Sequence, residues 1–245
     1  MFRITYQARV FLQMEQMTWK EWQQCLRKAA PIVDKLRKIL RDVENNTFEA
    51  WLSDSDYLQY LADEEMKAER DGKHDKAVAL RDPAHAAETL KGYAVWLKGT
   101  LPGACFQAGD FAVSMGTKKY NRGKRGRWRE MRYAYLNGLV VIDVDHCGNP
   151  VELYARISKE RNLKELGILL VYVSARGEGL KIVFKAREEW SNLICQQYEM
   201  ASLLGILDFV DDACKDSSRL SWLTGPDDVL YSDTKELFNV EPTND

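Results

Sequence analysis

Four strand-sized apolar runs, all beyond residue 110, constrain this chain more than any other feature. Phe111–Met115, Leu139–Val144, Ile168–Val173 and Leu180–Lys185 each hold five or six residues. That length suits a strand and is too short for a helix. Arg219–Leu223 reads as a last strand, and a tight loop at Ala175–Gly179 joins two successive strands. The residues before these runs differ in kind. Thr18-x-x-Glu21 has the form of a capping box, followed by Trp22, Leu26, Ala29 and Ala30, then Val33, Leu36, Ile39 and Leu40 at helical spacing. Pro31 is expected to break or kink that helix. A further helix starts after Asp82-Pro83 and runs to about Lys98; Asn149-Pro150 opens one through Ser158, and Glu188–Leu204 forms another. The texture changes at Leu101-Pro102-Gly103. The pattern predicts an α+β protein, with a helical N-terminal region over 1–98 and a mixed or antiparallel sheet domain over 99–245.

Composition narrows the function. The chain has 245 residues, 45% apolar and 29% charged, with a net charge of −2. That excludes a disordered chain and a uniformly basic coat protein, but not a segregated basic strip. No apolar run approaches the roughly 18 residues of a membrane-spanning helix, and Met1–Thr18 lacks the layout of a signal peptide. Five cysteines (Cys25, Cys105, Cys147, Cys195 and Cys214) are scattered without a C-x-x-C pair. They read as reduced thiols of a cytoplasmic protein. His146 and Cys147 have no second ligand pair, so no zinc is expected. The acidic stretch Ser53–Asp75 reads as a solvated helix face.

Four segments can carry chemistry. The run Gly138-Leu-Val-Val-Ile-Asp143-Val-Asp145 is a buried strand ending in two carboxylates. Alternation puts Asp143 and Asp145 on one face, about 7 Å apart along the backbone. Carboxylates so placed repel unless a divalent cation neutralises them or one takes a proton. In Ser174-Ala-Arg-Gly-Glu-Gly-Leu-Lys181, Gly177 and Gly179 let a turn bring backbone N–H groups close to a ligand. Ser174, Arg176 and Lys181 supply donors for phosphate; the alternative is an ordinary basic hairpin turn. The segment Val210-Asp211-Asp212-Ala-Cys-Lys-Asp216-Ser-Ser-Arg219 adds a carboxylate pair and an arginine, or is an Asp-rich structural turn. Finally, Lys118–Arg132 reads KKYNRGKRGRWREMR, with eight Lys or Arg against one acid. Tyr120 and Trp128 are interleaved there, and the combination suits phosphates and unpaired bases.

Taken in order, LPGACFQAGDF (Leu101–Phe111), NGLVVIDVD (Asn137–Asp145), SARGEGLK (Ser174–Lys181) and DDACKDSSRLSWLTGPDDVLY (Asp211–Tyr231) resemble the VirE-like N-terminal domain family. That family lies in the archaeo-eukaryotic primase superfamily, and the resemblance covers roughly residues 100–231. It implies a primase-type, RRM-like catalytic core. It also implies two divalent ions, Mg²⁺ or Mn²⁺, held by Asp143, Asp145 and Asp211, with Asp212 competing for the third place. Ser174, Arg176, Gly177, Gly179 and Lys181 fall at the nucleotide-binding positions, with Arg219 as a phosphate contact. Lys181 stands where many primases have histidine, and Arg176 where a small residue is usual.

The expected function is therefore template-directed, two-metal nucleotidyl transfer that makes or extends primers on single-stranded DNA from nucleoside triphosphates. Lys118, Lys119, Arg122, Lys124, Arg125, Arg127 and Arg129 would hold the strand. A helicase is a candidate partner and a membrane is not. The resemblance further implies a prokaryotic chain, nucleoid-associated or encoded on a mobile element. Rival readings are a non-catalytic DNA-binding accessory module for replication or mobilisation, and a metal-dependent nuclease.

Overall fold

The computed structural model describes residues 2–9, 12–211 and 215–240. In chain order the strands and helices are β1 (Thr5–Gln7), β2 (Glu15–Gln16), α1 (Trp19–Glu44), α2 (Ser55–Arg70), α3 (His74–Arg81), α4 (Ala86–Thr100), β3 (Gly103–Cys105), β4 (Ala108–Phe111), β5 (Val113–Met115), β6 (Arg125–Arg127), β7 (Ala134–Leu136), β8 (Leu139–Val144), α5 (Pro150–Glu160), β9 (Ile168–Val173), β10 (Leu180–Lys185), α6 (Leu193–Leu204), β11 (Ser221–Trp222), β12 (Val229–Ser232) and α7 (Thr234–Phe238). The protein is mixed α and β, and every pairing between named strands is antiparallel. No described helix is long and apolar enough to cross a membrane.

The chain forms two compact units, one of Met1–Pro31 with Leu101–Asp245 and one of Ile32–Thr100. The first thirty-one residues thus belong with the sheets, whereas the helical region was expected to run from 1 to 98. Their strands are short and carry polar residues (Thr5, Gln7, Glu15, Gln16), so they lack the apolar run that marks β8 or β9. The capping box at the start of α1 forms as expected: Thr18 N–H donates to Glu21 at 3.0 Å, and Glu21 N–H donates to Thr18 Oγ1 at 3.4 Å. Pro31, however, does not break α1. Arg27, whose carbonyl loses its i+4 donor, and Pro31 are both exposed, so water can take the missing bond.

The larger unit is built on two four-stranded sheets, ordered β11-β3-β1-β2 and β12-β9-β10-β8. One apolar cluster takes side chains from both, including Tyr6, Ala104, Val141, Tyr172 and Val183, together with Trp22 and Leu26 of α1. The opposite face of the second sheet (Ile142, Val144, Ile182, Phe184) packs on Leu153 and Ile157 of α5 and on Met200 and Leu204 of α6. Its strands are apolar on both faces because both faces are covered. β4 pairs with β7, and β5 with β6 in a separate ribbon. The strand expected over Phe111–Met115 is divided at Ala112, whose N–H turns to the carbonyl of Tyr133. The helix expected from Glu188 starts only at Leu193, where Asn192 caps it through Cys195 N–H at 3.0 Å.

The smaller unit packs Leu36, Ile39, Trp51, Tyr57, Leu90 and Tyr93. Asp54 caps α2 through Tyr57 N–H and pairs with Lys35 at 3.1 Å. Burial pushes the Asp54 carboxyl up, but the Tyr57 N–H and Lys35 together hold it below the ordinary carboxylate value. A depressed value means the stabilisation is complete above the unfolded pKa and disappears as pH falls through the folded one. Asp54→Ala should therefore destabilise this unit by about 1–2 kcal/mol at neutral pH. The gap from wild type should close below about pH 4, as urea unfolding at the two pH values will read.

Candidate functional site

The site grows from the end of β8. Across β8 and β10, Asp143 stands directly opposite Lys181, and Lys181 directly opposite Tyr172 of β9. On the other side of β8, Val144 bridges Val210. Asp145 N–H donates to the Phe209 carbonyl and Asp211 N–H to the Asp143 carbonyl, each at 2.9 Å. Residues 209–211 thus run antiparallel beside the end of β8 and set Asp211 opposite Asp143. Tyr172, Lys181, Asp143 and Asp211 consequently form one row across four backbones, on the face turned toward the cluster shared by the two sheets. The Asp143 carbonyl is engaged on the Asp211 side. Toward Lys181 it is therefore a non-hydrogen-bonded pair, the arrangement in which facing side chains come closest.

A cation flanks each of the row's two carboxylates. The Lys181 ammonium forms an ion pair with Asp143 Oδ2, with side chains only 13% and 9% exposed. Arg219 Nη2 lies 3.9 Å from Asp211 Oδ2. Tyr172 closes the row in the core, its hydroxyl donating to the Trp222 carbonyl at 3.3 Å; burial pushes its phenol far up. Asp145 follows on the same face, half-buried. Asp212, the competing third carboxylate, lies outside the described residues. Among the described residues, no group of three or more His, Cys, Asp or Glu side chains is placed to hold a metal ion. The donor set still fits a hard cation of the Mg²⁺ type, which takes one or two carboxylates and fills its octahedron with water and phosphate oxygens.

The turn between β9 and β10 sits beside these carboxylates. Ser174 is buried; its N–H donates to the Gly179 carbonyl at 2.8 Å, and Gly177 N–H donates to the Ser174 carbonyl at 2.9 Å. Gly177 has φ +83°, the left-handed region where glycine carries no Cβ penalty. Cys147 N–H donates to the Glu178 carbonyl at 3.2 Å, tying the turn to the loop after Asp145. Burial pushes the Cys147 thiol up. Arg176 is exposed. The structure therefore brings Ser174, Gly179, Lys181, Asp143, Asp145, Asp211 and Arg219 to one end of the second sheet.

The basic segment separates into two groups. Lys118, Lys119, Arg122, Lys124 and Arg125 are exposed on the β5–β6 ribbon and its loop. Arg127 is exposed too but pairs with Asp110 at 3.1 Å. Arg129 is half-buried, and its Nη1 donates to the Ser218 carbonyl at 2.8 Å. Asp216 accepts from the N–H and hydroxyl of Ser218, and its carbonyl accepts from Arg219 N–H. Arg129 thus braces the turn that carries Arg219, a role that charge counting could not reveal. Trp128 is buried at 6% exposure with its indole N–H on the Lys124 carbonyl, so its ring belongs to the fold. Tyr120 is exposed.

Comparison with known families corrects one expectation. The family model that matches, over residues 121–203, is described as BT4734-like, N-terminal domain. That is a different family from the VirE-like one, and no primase family model matches. The four segments behind the expected resemblance were short and each of a common type, so their order alone did not discriminate between families. The match covers about a third of the chain, from Asn121 in the basic segment to Leu203 in α6. Asp143, Asp145 and the Ser174–Lys181 turn fall inside it; Asp211 and Arg219 fall outside. No curated protein and no solved structure shows significant similarity to the chain.

Proposed function

We propose that this protein is a metal-dependent nucleotidyltransferase that extends a nucleic-acid strand from nucleoside triphosphates, with single-stranded DNA as its template. The observation that carries the reading is the row Lys181–Asp143–Asp211 beside a glycine turn. Carboxylates for a cation and cationic donors for phosphate meet at one strand end. The order β8-α5-β9-β10-α6 followed by the 209–211 segment, paired as β9-β10-β8-(209–211), is that of a split βαβ unit. It supports an RRM-like core. Bound Mg²⁺ or Mn²⁺ would polarise the triphosphate and the attacking hydroxyl. Asp143 and Asp145 would hold that ion, with Asp211 adjacent. Lys181, Ser174 and the turn amides would neutralise phosphate charge, and Arg219 would add a planar cationic fork. Tyr172 and the apolar cluster behind it keep water away from the buried side of the row.

One observation favours a second reading, a non-catalytic DNA-binding module. The Lys181 ammonium already neutralises Asp143, so that carboxylate is balanced in charge without any ion. A primer-synthesis assay with labelled triphosphates, Mn²⁺ and single-stranded template tests both. Products longer than the input that vanish in Asp145→Asn, with strand binding retained, are the expected result. Binding without synthesis under any metal supports the module, and shortened template supports a nuclease.

A further inference from the structure

The β5–β6 ribbon has two unlike faces. Ser114 and Gly126 point inward, and a Cβ on Gly126 would collide with the Gln13 side chain, so that face is pressed against residues 13–14. Gln13 and Met14 fasten it: Arg127 N–H donates to Gln13 Oε1 at 3.1 Å, and Met14 N–H to the Arg127 carbonyl at 2.9 Å. The outward face pairs an apolar with a cationic residue at each step, Val113 with Arg127 and Met115 with Arg125. Val113 is 49% exposed and Met115 56%. The loop closing the ribbon is held rigid. Asn121, 2% exposed, accepts from Lys118 N–H at 2.8 Å, and its carbonyl packs so closely on Gly116 that no Cβ fits there. That loop displays Lys118, Lys119, Tyr120 and Arg122. Lys118, Lys119, Arg122 and Arg125 make no ion pair among the described residues.

We propose that this outward face is a platform for single-stranded nucleic acid. Lys118, Lys119, Arg122 and Arg125 take its phosphates, and its bases lie against Val113, Met115 and Tyr120. The charge calls for a polyanion. Duplex gives phosphates but hides its base faces, so exposed aliphatic side chains between the cations would have nothing to cover. A single strand offers both surfaces at once. This deepens the reading above, and rests on it only for the strand being a substrate.

Fluorescence anisotropy with labelled oligo-dT and with a duplex of equal length, in EDTA and without nucleotide, tests the platform alone. Its outcome is independent of whether the carboxylate row is catalytic. Wild type should prefer the single strand. Replacing Lys118, Lys119, Arg122 and Arg125 by Gln should flatten the slope of log affinity against log salt by about 3, since each neutralised phosphate contributes about 0.7 on single strands. Val113→Ser with Met115→Ser should weaken binding roughly tenfold with the slope unchanged, and Tyr120→Ala, a loop change that leaves the ribbon pairing intact, should do the same. Equal or tighter duplex binding overturns the proposal. So does an unaltered slope in the four-Gln variant, or full affinity in both Val113→Ser/Met115→Ser and Tyr120→Ala.

Discussion

Gly179→Ala should be the most damaging single-methyl change in the sheet unit. A Cβ built on Gly179 falls inside the van der Waals envelope of the Val144 carbonyl oxygen, with the carbonyl carbon at 2.9 Å and Asp145 Cα at 3.2 Å. The obstacle is backbone, so no side-chain rotation relieves it. The ends of β8 and β10 must part, or the Ser174 N–H to Gly179 carbonyl bond must break. Overpacking a close-packed interior costs about 1–3 kcal/mol and occasionally more; with backbone on both sides the upper end applies. At about 2–4 °C per kcal/mol for a unit of this size, a fall in Tm of roughly 6–12 °C is expected. Parting the strands also carries Asp145 away from Ser174 and Lys181. A displacement of about 1 Å at a reacting centre lowers turnover roughly a hundredfold, which the primer-synthesis assay will read if the site is catalytic. Gly177→Ala is the control. It sits at φ +83°, where a side chain incurs the left-handed penalty of roughly 1–2 kcal/mol. Equal Tm values for the two variants would sink the close-approach argument.

The two glycines show what sequence could and could not reveal. A turn at Ala175–Gly179 was legible because two glycines separate two apolar runs. That Gly179 is required by a strand two elements away was not, because the order β9-β10-β8 is a tertiary choice. The same division runs through the site. Asp143 and Asp145 sharing a face follows from alternation along one strand, whatever its neighbours. Asp211 facing Asp143 depends on residues 209–211 annealing to the free edge of β8 with Val210 against Val144. No local pattern dictates that register. In the basic segment, composition located the cations, but burial sorted them. Arg129 went to the Ser218 carbonyl and Trp128 to the interior, while Tyr120 stayed outside. The helices read well where capping boxes and apolar stripes coincide, as at Thr18–Glu21. The strands of residues 1–31 did not, since two or three residues with polar side chains carry no period.

The ion pair between Asp143 and Lys181 yields the second large effect, through a double-mutant cycle. Removing one partner of a pair this buried strands the other charge, at about 3–5 kcal/mol, whereas replacing both by neutral groups of similar shape is close to neutral. Asp143→Asn and Lys181→Met should each lower the urea midpoint strongly, and the double variant should recover most of the loss. Both residues also lean on other neighbours, so recovery should stop short of wild type. Additive losses would mean the pair contributes nothing as a pair. The cycle also separates the two functional readings. Any cation reaching Asp143 must compete with the Lys181 ammonium for the same carboxylate. If the row holds a cation, Lys181→Met should gain more thermal stability from added Mn²⁺ than wild type does, and Asp143→Asn should gain little. Free of its carboxylate, the ammonium would then turn to phosphate, which makes cation and nucleotide binding mutually reinforcing. A melting temperature indifferent to Mn²⁺ in all three proteins would leave the pair as a structural brace at the end of β8. The non-catalytic reading would then stand.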